Sequence, residues 1–476
     1  MLHVPILRGG KAYRSIDRVR LADVRTRLPV AEVSQANRGL IARDMNDAGK
    51  RRRTLASFRA ADLAGICARA AVLFAEASLP LDDGVEQTAA EYIGALSATT
   101  GMPEALCRAN AAKIQFVLGR MEEVLSGWTR GLDLRVLDAG WGKEGGRRVS
   151  YLSQADALGA VLPNNSPGVH SLWIPAFALK VPLVLRPGRQ EPWTPLRIAR
   201  ALMAAGAPQE AFSFYPSDHA GAVEILLRCG RSMLFGDGAT LRAWQDDPRV
   251  QLHGPGWSKV ILGEDAAPRW REHLEVMAGS IADNGGRSCL NASSVWTPSA
   301  GREIARTLAE RLATIDARPL TDPEARLAAF SDPSQARRIS DHIDRLLEVP
   351  GAEDFSARVR GPHRLVEADG CTFLRPTVIW CEDPGHPLAA CEFLFPFAAV
   401  VELPSSEMTA RIGPTLVATA LTNDSAFQRE LLACPLIDRL NLGPIPTSRV
   451  SWDQPHEGNL FDHLYRQRAI QVEGAA

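Results

Sequence analysis

Between Val181 and Leu262 the chain alternates short apolar runs with helical segments of ten or so residues. That alternation restricts it to a parallel sheet with helices on both faces. "VPLVLR" reads as a strand, and "TPLRIARALMAAG" as a helix with Thr194 as N-cap, Pro195 at the first helical position and Gly206 as the stop. "AFSFYP" is the next strand; Asp218 caps a helix through "AGAVEILLRCG", and "SMLFG", "VQL" and "KVIL" supply further strands. Beyond these, "SSVW" is a strand, and Ser299 opens a helix with Ile304, Leu308, Leu312 and Ile315 on one face, so a second α/β unit follows the first. Sheets of this kind bind ligands at the carboxyl ends of their strands. No Gly-x-Gly-x-x-Gly follows any of these strands, so the ordinary dinucleotide fingerprint is absent.

At 476 residues the chain implies two or three domains, and its net charge of -1 gives no footprint for nucleic acid or an anionic membrane. The partners it implies are small molecules and other subunits. Eight cysteines (Cys67, Cys107, Cys229, Cys289, Cys371, Cys381, Cys391 and Cys434) lack CxxC pairing and the density of a disulfide scaffold, which points to free thiols in a cytoplasmic protein. "CEDPGH" lacks the second pair of ligands that a structural zinc needs, so no metal is expected. The opening "MLHVPILRGGKAYRS" has no apolar signal core, and no run reaches the roughly 18 apolar residues of a membrane span. Residues 53–78 and 86–124 read as long helices, making the N-terminal part mainly helical. Residues 316–370 read as surface connections with a helix near "SQARRISDHIDRLL". "RVLDAGWGKEGGRRVSYLS" and "FDHLYRQRAIQVE" are poor cores alone and read as projecting strands.

The stretch "DNGGRSCLNASS" raises a chemical question. A nucleophilic cysteine needs thiolate character, access and donors for the oxyanion it creates. Gly285 and Gly286 remove side chains beside Cys289, letting backbone N–H groups and a substrate approach, and Arg287 adds positive charge. Taken alone, the stretch suits a buried structural thiol better than a nucleophile. His170, His219 and His456 show no recognisable partners and read as structural or surface residues.

In context, "NGGRSCLNASS" resembles the Asn-x-Gly-x-x-Cys signature of the aldehyde dehydrogenase superfamily, and further matches follow the family's order. "PNNSPG" is similar to its Pro-x-Asn-x-Pro segment, and "LVLRPGRQEPWTPLRIARALMAAGAP" to the strand, turn and helix that hold the adenosine end of the cofactor. "FGD" resembles the Gly-Ser turn under the pyrophosphate, "FLRPTV" the Pro-Thr-Val strand and "CEFLFPF" the Glu-x-Phe-Gly-Pro segment. The resemblance makes Cys289 the nucleophile, gives Asn165 and the Cys289 N–H the oxyanion, and sets Glu392 against the nicotinamide ribose. Cysteine attack, preorganised donors and a redox cofactor are a coherent division of labour.

Departures from the family pattern shape the expected chemistry. Where the family has Glu-Leu-Gly-Gly-Lys-Ser, with its glutamate activating water, this chain reads "LHGPGWSK" and aligns His253 with the glutamate. The GPG turn, including Gly254, is similar to that of the CoA-acylating members, in which coenzyme A rather than water takes the acyl group. His253 is the alternative base, since imidazole titrates nearest neutrality. The family's Lys-Pro-x-Glu is replaced by Arg186-Pro187-Gly188-Arg189, and an arginine in place of a carboxylate pairs with a 2'-phosphate, so NADP(H) is expected over NAD(H). Beside the pyrophosphate, Gly236 is retained and Asp237 replaces serine, an awkward charge there.

The expected fold is therefore an aldehyde dehydrogenase-like α/β protein. It has a Rossmann-type cofactor domain (1–130 and 148–252), an α/β catalytic domain (253–445) and a β-strand oligomerisation arm (131–147 and 446–476). The expected activity is NAD(P)-dependent interconversion of a small-molecule aldehyde and an acyl-CoA through a Cys289 thioester, with coenzyme A as co-substrate, in a cytoplasmic homodimer or homotetramer. A non-acylating enzyme that makes a carboxylic acid and a catalytically silent subunit are the alternatives.

Overall fold

Two seven-stranded sheets carry the chain; the computed structural model describes residues 1–471 and 473. In the first, the order runs Val250–His253, Arg231–Phe235, Leu158–Val161, Leu183–Arg186, Phe212–Phe214, then Ile6–Arg8 and Lys11–Tyr13. The five leading strands are parallel, with Val161 level with both Arg186 and Leu234, and Phe235 level with His253. Strand order reverses at Leu158–Val161, so a crevice opens beyond its carboxyl end, between the loops after it and after Arg231–Phe235. The second sheet runs Ala352–Asp354, Thr377–Cys381, Phe397–Glu402, Ala292–Thr297, Ser258–Leu262, Thr415–Leu421 and Ile437–Leu442, parallel except for its first strand. Its central strands are buried on both faces, as their continuous Val, Ile and Ala runs require.

Several local expectations are corrected. The N-terminal part is not mainly helical from its start: five short strands precede the first helix, Arg38–Met45. Strands of three residues are too short to show a period; Ile6–Arg8 is held by pairing antiparallel to Phe212–Phe214. Thr194 does not cap its helix, which spans Trp193–Ala204. The Glu191 carboxylate accepts the Thr194 N–H at 2.9 Å instead, and the Thr194 hydroxyl is 2.8 Å from the Tyr92 hydroxyl in the core. The helix expected from Ser299 is Gly301–Leu312, its end held by Glu402 accepting the Gly301 N–H at 2.7 Å, with Ile315 beyond it.

The expected projecting strands do pair: Tyr465–Arg468, Arg147–Ser153 and Gly142–Glu144 form an antiparallel sheet, while "RVLDA" is a short helix, Arg135–Ala139. Residue 472 and residues 474–476 of the expected arm lie outside the described residues. Among the described residues no helix is long and apolar enough to cross a membrane.

Candidate active site

The first sheet ends at His253 and the second begins at Ser258, so residues 254–257 cross from one to the other. Gly256 has no room for a side chain, because a Cβ would collide with the Cys289 carbonyl. Ser258 Oγ donates to that carbonyl at 2.9 Å, and the Leu416 N–H donates to Gly256 O at 2.8 Å. The turn and the cysteine loop thus pack backbone against backbone where the two sheets meet.

Asn284, Gly285 and Gly286 all adopt left-handed φ (55°, 67° and 68°), curling the chain tightly ahead of Cys289. The space freed by these glycines is filled by protein rather than by substrate, which corrects the sequence reading: Gly285 abuts Arg326 and Ala328, and Gly286 the Phe395–Pro396 peptide. Asn291 ties the loop together, accepting the Ser288 N–H at 2.9 Å and donating to Ser280 O at 3.1 Å and Asp283 O at 2.9 Å. Arg287 also departs from expectation. Its buried guanidinium turns away, donating to Thr100 O at 3.1 Å and to Ala329 O, and burial pulls it down to about 10. The Asn165 amide reaches the loop, donating to Arg287 O at 3.0 Å, an orientation that turns Nδ2 toward the cysteine segment.

Cys289 is partly exposed, and its thiol is held well above its ordinary range by burial, then by the Glu457 and Glu392 carboxylates. The cation in electrostatic reach is Arg439, not Arg287. His253 is buried and stacked on Phe235 at 4.3 Å; its Nδ1 bonds the Glu457 carboxylate, while Nε2 is buried without a partner among the described residues. Glu392 is committed to the turn: it accepts the Gly256 N–H at 3.1 Å and the Trp257 N–H at 2.5 Å. Burial pushes Glu392 up to about 7 against those bonds and Lys259. Lys259, itself lowered to about 8 by burial, donates to Trp257 O at 2.6 Å and Thr415 Oγ1 at 2.8 Å.

Glu457, Lys259, Arg439 and Trp257 were not singled out by sequence. The signal for Lys259 and Trp257 was their place in "GPGWSK", whereas nothing local marks Glu457 or Arg439. His456 and His170 have neighbours that sequence did not reveal. His456 is buried, its ring stacked 6.5 Å from that of His253, and His170 Nε2 lies 2.6 Å from the Glu191 carboxylate.

Apart from Glu392, the residues expected to hold a dinucleotide sit at or just beyond the carboxyl ends of the first sheet's strands. Arg186 ends its strand, donating to Ser217 O at 3.0 Å and leaving Nε buried without a partner among the described residues; Arg189, in the turn beyond, is exposed. A Cβ on Gly188 would strike the Pro163 carbonyl and the Asn164 side chain, so this turn packs onto the Pro163–Asn165 loop. Gly236 donates to His253 O at 3.1 Å, and Gly254 abuts Leu241. Asp237 N-caps Gly238–Arg242, accepting the Thr240 N–H at 2.8 Å, a bond that holds its carboxyl low and ionised. The arginine-lined end fits a nucleotide phosphate; the Asp237 end opposes a pyrophosphate.

A protein-family model described as "Aldehyde dehydrogenase family" matches residues 17–413. The chain belongs to that family. Among curated relatives of aldehyde dehydrogenase type, the betaine aldehyde dehydrogenase of Cereibacter sphaeroides is 29% identical over 290 residues, 56% of this chain and 57% of that one. The phenylacetaldehyde dehydrogenase of Pseudomonas fluorescens is 26% identical over 237 residues, 46% of this chain and 45% of that one. The chain thus spans about half the length of the curated relatives it matches. Among solved structures, the aldehyde dehydrogenase KauB from Pseudomonas aeruginosa aligns with TM-score 0.81 at 17% identity, covering 99% of this chain and 96% of that one. Succinate-semialdehyde dehydrogenase from Burkholderia pseudomallei aligns with TM-score 0.78 at 18% identity, covering 98% and 97%. The aldehyde dehydrogenase fold therefore extends over nearly the whole chain.

Proposed function

We propose that this protein is an NAD(P)-dependent aldehyde dehydrogenase that oxidises a small aldehyde through Cys289 and releases a carboxylic acid. The observation that carries this reading is the Asn165 amide donating to Arg287 O at 3.0 Å, two residues before Cys289, together with Glu457, the partner of His253 Nδ1, lying in electrostatic reach of the Cys289 thiol. The Cys289 thiol loses its proton to solvent and Sγ attacks the aldehyde carbon, and the oxygen, gaining charge, is met by Asn165 Nδ2 and the Cys289 N–H. A dinucleotide held beyond the first sheet's strand ends, beside Arg186 and Arg189, would supply the acceptor for the hydride of that carbon. The acyl group then rests on Sγ as a thioester, and His253 takes the proton of the water that attacks it.

This reading reverses the order of the sequence expectation, in which coenzyme A was the favoured acceptor. The relatives' names support aldehyde oxidation and add no support for acyl transfer to coenzyme A, and a buried imidazole supplies the base that a water reaction needs. The GPG turn alone favours the second reading. Purified protein with aldehyde and oxidised cofactor is expected to give free acid at equal rates with and without coenzyme A; acyl-CoA formed only with coenzyme A would overturn it.

Arg189 supports NADP(H) as the preferred cofactor, because an exposed guanidinium in the turn after Leu183–Arg186 is free to pair with a ribose 2'-phosphate. Glu392 is offered no longer as a ribose ligand but as the clamp of the 254–257 crossing, since its carboxylate accepts two N–H groups there. Asp237 is offered as a helix cap rather than a pyrophosphate ligand. The three-stranded arm and its open edges support a homo-oligomer.

A further inference from the structure

We propose that Glu457 positions His253 and balances its charge while His253 deprotonates the water that cleaves the Cys289 thioester, so that the carboxylate absent from position 253 is supplied by the C-terminal segment. The inference rests on the acyl transfer proposed above and assigns a second residue to it. His253 Nδ1 bonds Glu457, which leaves Nε2, buried and without a partner among the described residues, as the ring's free end. The Phe235 ring, stacked 4.3 Å from the imidazole at an interplanar angle of 14°, fixes its plane. The segment bearing Glu457 is clamped from two sides: Gln251 Nε2 donates to Glu457 O, and Arg439 donates to Pro455 O at 2.5 Å. Clamps on both neighbouring strands make this a fixed contact rather than a passing surface pair.

The neighbouring groups leave Glu457 as the partner for an imidazolium. Burial, with Arg439 and His253 adding repulsion, pushes His456 down to about 4, so it stays neutral. Glu457 itself is held below its ordinary range despite burial, because His253 favours its charged form. In the step, the water oxygen bonds the acyl carbon as its proton passes to Nε2. The carbon–sulfur bond then breaks, sulfur leaves with the electron pair, and the imidazolium returns the proton to it. A carboxylate on Nδ1–H holds the tautomer that makes Nε2 an acceptor.

An activated ester tests this without the redox step. p-Nitrophenyl acetate acylates Cys289 directly, releasing nitrophenolate in a burst, and subsequent turnover reports hydrolysis of the acetyl thioester. Glu457→Gln is expected to keep the burst and lose about 100-fold in steady-state rate, with acetyl-enzyme accumulating by intact mass. Glu457→Asp, which keeps the charge, is expected to lie between, about tenfold down, and carries the test if the Gln variant does not fold. A burst with unaltered steady-state rate in these variants overturns the role of Glu457 alone. No burst from the unaltered protein, or a burst that survives Cys289→Ala, overturns the acyl-transfer reading itself.

Discussion

Cys289 is flanked by two carboxylates and one cation, and that balance decides how it reacts at rest. Burial, then Glu457 and Glu392, holds the thiol protonated at neutral pH. Its alkylation by iodoacetamide is therefore expected to keep rising with pH past the ordinary thiol range; a plateau near pH 7 would contradict this. Neutralising Glu457 as Gln is expected to speed labelling at pH 8, because one source of repulsion is gone. Glu392 carries the opposite kind of signature. Its folded value of about 7 lies above the ordinary 4.5, so its contribution to stability is complete below pH 4.5 and lost as pH rises through 7. Wild type should lose stability relative to Glu392→Gln between pH 5 and pH 8 in urea melts; a constant difference would show that the carboxyl is not buried as described. At this scale sequence could propose Cys289 and Asn165 because each sits in a local motif, and the contact of Asn165 with Arg287 O brings those two motifs together. Glu457 was not, since its partner is 204 residues away and no short-range pattern encodes the contact.

Turns and helix ends decide how these residues are held. A methyl group on Gly256 would run into the Cys289 carbonyl, and the neighbour is backbone, which cannot step aside as a side chain would. Gly256→Ala is thus expected to destabilise the fold and to lower turnover together, read by thermal unfolding and by aldehyde oxidation. Glu191 shows why a helix start was misread. Its carboxylate caps the Trp193–Ala204 helix through Thr194 N–H at 2.9 Å while His170 Nε2 sits 2.6 Å from its other oxygen. Thr194 looked like the cap because threonine beside proline is a common helix start, but its hydroxyl was already taken by Tyr92. Glu191→Ala strands both partners in the core and is expected to cost about 3–5 kcal/mol in denaturant melts. Alternating strands and helices from Val181 to Leu262 were legible because each apolar run was long enough to show a period; the three-residue strands near the N-terminus were not.

At the scale of the whole molecule, cofactor and assembly are the properties to measure. Arg189→Glu is expected to lower catalytic efficiency with NADP relative to NAD by roughly 10- to 100-fold, the worth of one charged hydrogen bond of about 1.5–3 kcal/mol. An unchanged ratio would place Arg189 in solvent without a role. Sedimentation should give a dimer or tetramer through the arm of Gly142–Glu144, Arg147–Ser153 and Tyr465–Arg468; a monomer would leave that sheet unexplained. The division into two α/β units was legible from the repeated strand–helix pattern. Their contact was not, because the crossing at residues 254–257 looks in sequence like any glycine-rich loop.

The bond between His253 and Glu457 joins the end of one sheet to a segment near the far end of the chain, 204 residues later. Neither residue keeps its value without the other: an imidazole with no carboxylate is a poorly oriented base, and a carboxylate with no imidazole is a buried charge. Lineages that descend from this sequence should inherit the two as a linked pair and lose them together. A chain that regained glutamate at 253 would be free to let 457 drift.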